Sequence, residues 1–345
     1  TLSQLTLAPD KADAAVRYVG KLNTEQRDAL LTLANANHVV VRAFEVVAER
    51  VEQPDVCEWA REVLRKEAGR IENALQFLER ICIELESAGC AVTVMKSLDH
   101  WPDLGNDLDL YTTADEHRVG QVMLEKFAAR IEPRSWGDRL ANKWNFAIFG
   151  LPEAVEVHAK RLGQTGEHTA MAQRFVTRRQ SKSLNGRSFP VPAPEERILV
   201  ATLQRMYRHF YFRVCDVVNT VDLLESGALD FAELKRAADV GGIWSGVATY
   251  LKIVCDYAKR CRGSSPELPD SVLRSARFGG EVIRARGKFL RLPIMPNGAE
   301  LYTRQVADRA LRGDVPATFR LSLLPYLASA AAVAYKITGS DKGIW

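Results

Sequence analysis

The chain has 345 residues, 47% hydrophobic and 26% charged, with 22 glycines and 14 prolines. This balance excludes collagenous, low-complexity and disordered architectures and leaves room for about two domains. The net charge of +4 is too small for a dedicated nucleic-acid binder, and it is uneven: residues 1–90 carry −4, 91–195 carry +1 and 196–345 carry +7.

The six cysteines are Cys57, Cys82, Cys90, Cys215, Cys255 and Cys261. None forms a Cys-x-x-Cys pair, so a structural zinc site is not expected. Few cysteines in a long chain point to reduced thiols and a cytoplasmic protein. Thr1 to Asp10 lacks the pattern of a secretory leader. The apolar stretch Leu321 to Ile337 contains Pro325 and Lys336 and is too short to span a bilayer. It is expected to be a buried helix, with no membrane partner.

Residues 1–88 read as helix throughout. Thr24 is placed to cap one helix and Asp55, after Pro54, another. Ile71, Ala74, Leu75, Leu78, Ile81 and Leu85 recur at helical spacing. The character changes at Ser87-Ala88-Gly89. Cys90–Met95 and Asp107–Thr112 read as strands, and a helix follows from Thr113 or Asp115 to about Ala129. Lys143–Phe149 and Ala154–Ala159 are two further strands, divided by Gly150-Leu151-Pro152. Phe189-Pro190-Val191-Pro192 reads as an extended linker. From Pro194 the pattern is helical again, over Glu195–Phe212, Val214–Leu224, Asp230–Val240 and Ile243–Ala258. A connector at Ser264–Pro269, a basic segment at Arg274–Arg291 and the terminal helix complete the chain. The expectation is an α+β fold in three parts: a helical region over 1–88, an α/β core over 89–192 and a helical region over 193–345.

The informative chemistry lies in Asp107-Leu108-Asp109-Leu110. On a strand, residues two apart share a face, so two carboxylates sit about 7 Å apart. Such a pair cannot easily be buried as bare anions. Two Mg²⁺ ions would neutralise it, and Mg²⁺ bound by carboxylates also takes substrate phosphate oxygens. A third carboxylate from a neighbouring strand fits the same scheme. Glu156, between Val155 and Val157, is the candidate, with His158 and Lys160 on its face. The competing reading is a surface hairpin that merely exposes Asp107 and Asp109. Further on, His209, Arg213 and Asp216 lie four and three apart and share one helix face if the helix is continuous. They are candidates for a substrate wall or for an ordinary ion pair. Tyr207, Phe210, Tyr211 and Phe212 read as core. The basic runs Arg174, Arg178, Arg179, Lys182, Arg187 and Arg274, Arg277, Arg284, Arg286, Lys288, Arg291 read as solvated surface, with an RNA acceptor as the alternative. His38, His100, His117 and His168 have no ligand spacing and receive no role.

Met95-Lys96-Ser97, Asp107-Leu108-Asp109-Leu110, Glu156-Val157-His158 and the helical His209, Arg213 and Asp216 together resemble the nucleotidyltransferase superfamily of the DNA polymerase β and kanamycin nucleotidyltransferase type. More narrowly they resemble a bacterial family of uncharacterised nucleotidyltransferases. The resemblance spans roughly residues 65–260. It implies a small mixed sheet with helices and Mg²⁺-dependent transfer of a nucleoside monophosphate from an NTP, with release of pyrophosphate. It makes Asp107, Asp109 and Glu156 the metal ligands and catalytic acids, and turns Lys96, Ser97 and Asn106 toward the triphosphate. The acceptor would be a small molecule, peptide or protein. Two departures stand out. The glycine expected at one of positions 96 and 97 is absent, and the third acid is Glu rather than the commoner Asp. A catalytically impaired nucleotide- or peptide-binding relative is therefore the alternative to an enzyme.

Overall fold

A computed structural model describes residues 1–338. At its centre is a five-stranded mixed sheet. Its strands are β1 (Val92–Met95), β2 (Asp107–Thr112), β3 (Arg130–Ile131), β4 (Lys143–Ala147) and β5 (Ala154–Ala159). They lie in the order β1-β2-β5-β4-β3, with β2 and β5 parallel and every other pair antiparallel. The fold is thus α+β, as expected.

The two faces of the sheet are separated by the period of two along each strand. Val92, Val94, Leu108, Leu110, Val155 and Val157 are buried against two helices. One is the C-terminal half of α2 (Pro54–Ser87), through Ile71, Leu75, Leu78, Ile81 and Leu85. The other is α3 (Glu116–Phe127), through Val119, Val122 and Met123. The opposite face carries Met95, Tyr111 and the acids. Met95 and Tyr111 join a second core that unites residues from Leu2 to Val63 with residues from Ile198 to Leu301.

Helix starts differ slightly from expectation. Asn23 caps α1 (Thr24–Ala36) in a capping box with Gln26, and Pro54 occupies the first turn of α2 after Gln53. Asp115 caps α3. The stretch 189–192 is not a linker. Arg187–Val191 (β7) pairs with Gln180–Leu184 (β6) through a two-residue turn at Asn185-Gly186, both with positive φ. Asn-Gly suits that turn, and Pro190 is tolerated because this two-stranded ribbon leaves it a free edge.

The helix begun at Pro194 (α4, Pro194–Thr202) does not reach Phe212. It widens into a π-type segment at Leu203–His209 and stops at Phe210, whose φ is 53°. Tyr211–Phe212 (β8) then pairs with Phe289–Arg291 (β10), itself paired with Arg284–Arg286 (β9), before α5 (Val214–Glu225) starts. The terminal helix α6 (Leu324–Thr338) is exposed rather than buried: Tyr326, Val333 and Ile337 face solvent, and only Ala331 of its described side chains is buried. Among the described residues no helix is long and apolar enough to cross a membrane. All six cysteines are free.

The loop between β1 and β2 shapes the site, and the helical regions hold it. Arg42 donates to the carbonyls of His100 and Trp101, both at 2.6 Å. Arg70 donates to the carbonyls of Leu104 and Gly105. Lys182 donates to Leu98 O at 2.6 Å, and Arg197 pairs with Asp99 at 2.6 Å. Asp103 is fully buried and accepts the backbone N–H groups of Val41 and Arg42, which begin the helix Val40–Arg50. Burial pushes its pKa up to about 6 against those hydrogen bonds. Asp103→Ala removes this cap and leaves the Arg42 guanidinium short of its partner. It should cost about 2 kcal/mol of stability, read as a lower urea midpoint. A midpoint equal to wild type would show that Asp103 does not anchor the loop.

Candidate active site

The parallel pairing of β2 and β5 sets Asp109 beside Glu156. Both project from the face opposite Leu108, Leu110, Val155 and Val157, as does His158. Ligand atoms of Asp109, Glu156 and His158 all lie within 4.8 Å of one another. His158 Nε2 is 2.7 Å from Glu156 Oε1 and 4.0 Å from Asp109 Oδ1, while its Nδ1 is buried with no partner. Asp107 opens onto the same cleft from its rim and is more exposed. A divalent cation fits this donor set, in which two carboxylates and the Nε2 side of an imidazole converge.

Two ammonium groups share the carboxylate face. Lys96 is ion-paired with Asp109. Lys143, at the start of β4, lies 3.0 Å from Glu156 and 2.9 Å from Asp138. Burial lifts the Asp109 pKa to about 7, although Lys96 opposes the shift. Burial also works against charge on Glu156, but the hydrogen bond from His158 and the ammoniums of Lys96 and Lys143 win, and its pKa lies well below the usual carboxylate range. Burial holds His158 down to about 4 and thus neutral, despite Glu156. For Lys143, burial disfavours the charge, but Glu156 and Asp138 outweigh it and its pKa rises.

The glycine position is now explained in part. Lys96 has φ 54° and ψ −54°, a conformation costly for any residue with a Cβ. The backbone here has the shape that favours glycine, and a lysine occupies it. Ser97 is buried, and its hydroxyl accepts the Asp109 N–H at 2.8 Å and donates to Asp107 O at 3.1 Å. Its proton is committed to the backbone, so Ser97 braces the β1–β2 connection rather than offering a donor to phosphate.

Opposite the carboxylates stands a basic wall. Arg205, Arg208, His209, Tyr211 and Arg213 line the same cleft, which encloses about 190 Å³ and also touches Asn106, His38 and His100. Asp216 does not face the cleft. It is buried behind the wall, 2.7 Å from Arg205, and accepts the Arg213 N–H at 2.6 Å. His209, Arg213 and Asp216 therefore share no helix face, because the chain reverses at Phe210. Tyr211 stacks on Phe289 at 4.3 Å, and Arg205, Arg213 and Arg291 lie over its ring at 5.5, 6.0 and 5.4 Å. Ring faces rather than carboxylates position Arg213 and Arg291. Burial and the surrounding arginines hold the His209 pKa down to about 2 and that of His38, which stacks on His100, to about 3.

Lys160 leaves the site. β5 ends at Ala159, and Lys160, at φ 63°, turns toward Asp115 and Glu116 at 3.6 and 3.4 Å. The first basic run is spent internally: Arg174 pairs with Glu196 and Glu233, Arg178 with Glu195, Arg179 with Glu86 and Arg187 with Glu72. Sequence reasoning missed Lys143, Asp138, Arg205, Arg208, His38 and His100. Only Lys143 carried a signal, as the first residue of a strand whose pairing partner was unknown.

No family model and no curated protein matches the sequence. Among solved structures, an antigenic nucleotidyltransferase-like protein from Paracoccidioides brasiliensis shares 14% identity at a TM-score of 0.32, over 48% of this chain and 85% of that one. Likeness at that level carries no argument about fold or function, and both rest on the sheet and its side chains.

Lys143→Met would leave Glu156 and Asp138 buried without their cation. It should cost roughly 3 kcal/mol, seen as a lower urea midpoint in metal-free buffer. An unchanged midpoint would place Lys143 outside the charge balance of the site.

Proposed function

We propose that this protein is a divalent-metal-dependent nucleotidyltransferase, moving a nucleoside monophosphate from an NTP to an acceptor hydroxyl and releasing pyrophosphate. The observation that carries this reading is the placement of Asp107, Asp109 and Glu156 on one face of two parallel-paired strands, across a cleft from Arg208 and Arg213. A surface hairpin would not bury Asp109 at 8% exposure beside a second carboxylate.

Asp109 and Glu156 would hold Mg²⁺, and His158 orients Glu156 through the 2.7 Å contact. When bound, the metal supplies Lewis-acid polarisation of the phosphate and charge neutralisation of the leaving pyrophosphate. Glu156 is kept ionised by His158, Lys96 and Lys143, which suits a ligand and makes it a weak base. Asp107, at the rim and without an ion-paired ammonium among the described residues, would take the acceptor's proton, which leaves Asp109 and Glu156 as the carboxylates that hold the metal. Arg208 and Arg213 present donors to phosphate oxygens from the opposite side. The acceptor oxygen forms a bond to the α-phosphorus as the bond to the pyrophosphate oxygen breaks.

One observation favours a second reading, a nucleotide-binding protein without turnover: Lys96 sits on Asp109, the central ligand. The two readings separate in one assay. Incubation with each α-labelled NTP, Mg²⁺ and cell extract should yield labelled acceptor and pyrophosphate. Asp109→Asn should lower the rate at least about 1,000-fold with the fold intact by circular dichroism. Metal-dependent NTP binding without pyrophosphate release would leave the second reading. Release undiminished in Asp109→Asn would remove the site assignment.

A further inference from the structure

The position filled by Lys96 is unusual twice over. Its backbone is held at positive φ, where a side chain is a burden. Its side chain is only 12% exposed, and its ammonium lies on Asp109, whose side chain is exposed to the same extent. A residue that costs backbone energy and still places a buried cation on the central carboxylate needs a reason in the charge balance of the site. Asp109, Glu156 and Asp107 together present three carboxylates in one corner. Lys143 divides its charge between Glu156 and Asp138 and gives none directly to Asp109. Lys96 is the only ammonium or guanidinium within ion-pair distance of Asp109 among the described residues.

On this basis, and resting on the nucleotidyltransferase reading, we infer that Lys96 is the resident counter-cation of Asp109 and competes with the divalent metal for it. Metal alone must displace the ammonium, and the other carboxylates near it, Asp107 and Glu156, then face the same metal, so that Lys96 keeps no anion of its own. A triphosphate supplies that anion. Lys96 can then exchange Asp109 for a phosphate oxygen, and the vacated carboxylate is free for the metal that travels with the nucleotide. Lys96 thereby acts as a positioning residue that couples metal binding to triphosphate binding. By linkage, each ligand raises the affinity for the other.

The test is metal binding, read without turnover. Free Mn²⁺ is followed by electron paramagnetic resonance for wild type, Lys96→Gly and Lys96→Arg. Binding of the Mn²⁺–tripolyphosphate complex is measured by equilibrium dialysis with the same proteins. Tripolyphosphate stands for the part that all NTPs share. Lys96→Gly removes the competing charge and fits the positive φ, so it should fold and bind Mn²⁺ about tenfold tighter than wild type. Lys96→Arg should stay near wild type. The ratio of affinity for the complex to affinity for Mn²⁺ alone should shrink in Lys96→Gly. Mn²⁺ affinities of wild type and Lys96→Gly within twofold, or an unchanged ratio, would overturn the inference. Asp109→Asn separates this from failure of the functional reading. If it abolishes Mn²⁺ binding while Lys96→Gly changes nothing, only the role of Lys96 falls. If Asp109→Asn leaves binding unaltered, the carboxylate site itself falls, and this inference with it.

Discussion

Carboxylates brought side by side on a half-buried sheet face repel one another and lose hydration, so a cation has to be supplied for each. The rest of the molecule can be understood as the answer to that requirement. β2 and β5 bring Asp109 and Glu156 together in register. β4 brings Lys143 beside Glu156, and the turn after β1 brings Lys96 onto Asp109. The two carboxylates end in different states. Glu156, with a hydrogen-bonded imidazole and two ammoniums nearby, is held ionised. Asp109, buried deepest, has its pKa lifted to about 7. Burial outweighs the Lys96 ammonium at Asp109, whereas at Glu156 the imidazole and the two ammoniums outweigh burial.

The helical regions matter to this site although they carry none of its carboxylates. The loop from Ser97 to Asn106 has little secondary structure, and its carbonyls would be unsatisfied away from water. Arg42 and Arg70, from helices in the first 88 residues, take four of these carbonyls. Asp103 returns the favour by capping the helix that carries Arg42. Asn219, on α5, hydrogen-bonds His100 at 2.9 Å, and Arg197, on α4, holds Asp99. The loop is therefore clamped from both ends of the chain. Rigidity of this kind is what a preorganised site needs, because a ligand then does not have to order the loop itself.

Much of this was legible in the sequence, and the exceptions have physical causes. β2 and β5 match their expected limits because alternation of acids with Leu and Val marks one wet and one dry face over six residues. The same alternation places Glu156 with Asp109. The β6–β7 hairpin was missed because Pro190 and Pro192 argue for a linker, while Asn185-Gly186 holds the stronger signal of a two-residue turn. The break at Phe210 leaves no mark in a stretch that is apolar and basic at helical spacing. It follows from pairing of Tyr211–Phe212 with Phe289–Arg291, nearly 80 residues away. Composition made the terminal helix look buried, but burial requires a partner surface. Lys143, Arg205 and Arg208 were invisible because their roles depend on what lies across a strand or cleft, which spacing does not encode.

The charge of the cleft constrains what can enter it. Its walls, carboxylates with Lys96 on one side and arginines with His209 on the other, are lined almost wholly by polar groups. Under the proposed reading the ligand that both address is a polyphosphate, the first wall through metal and the second directly. The phosphates are then the part of a nucleotide that both walls address, and a preference for one base would come from contacts outside the cleft.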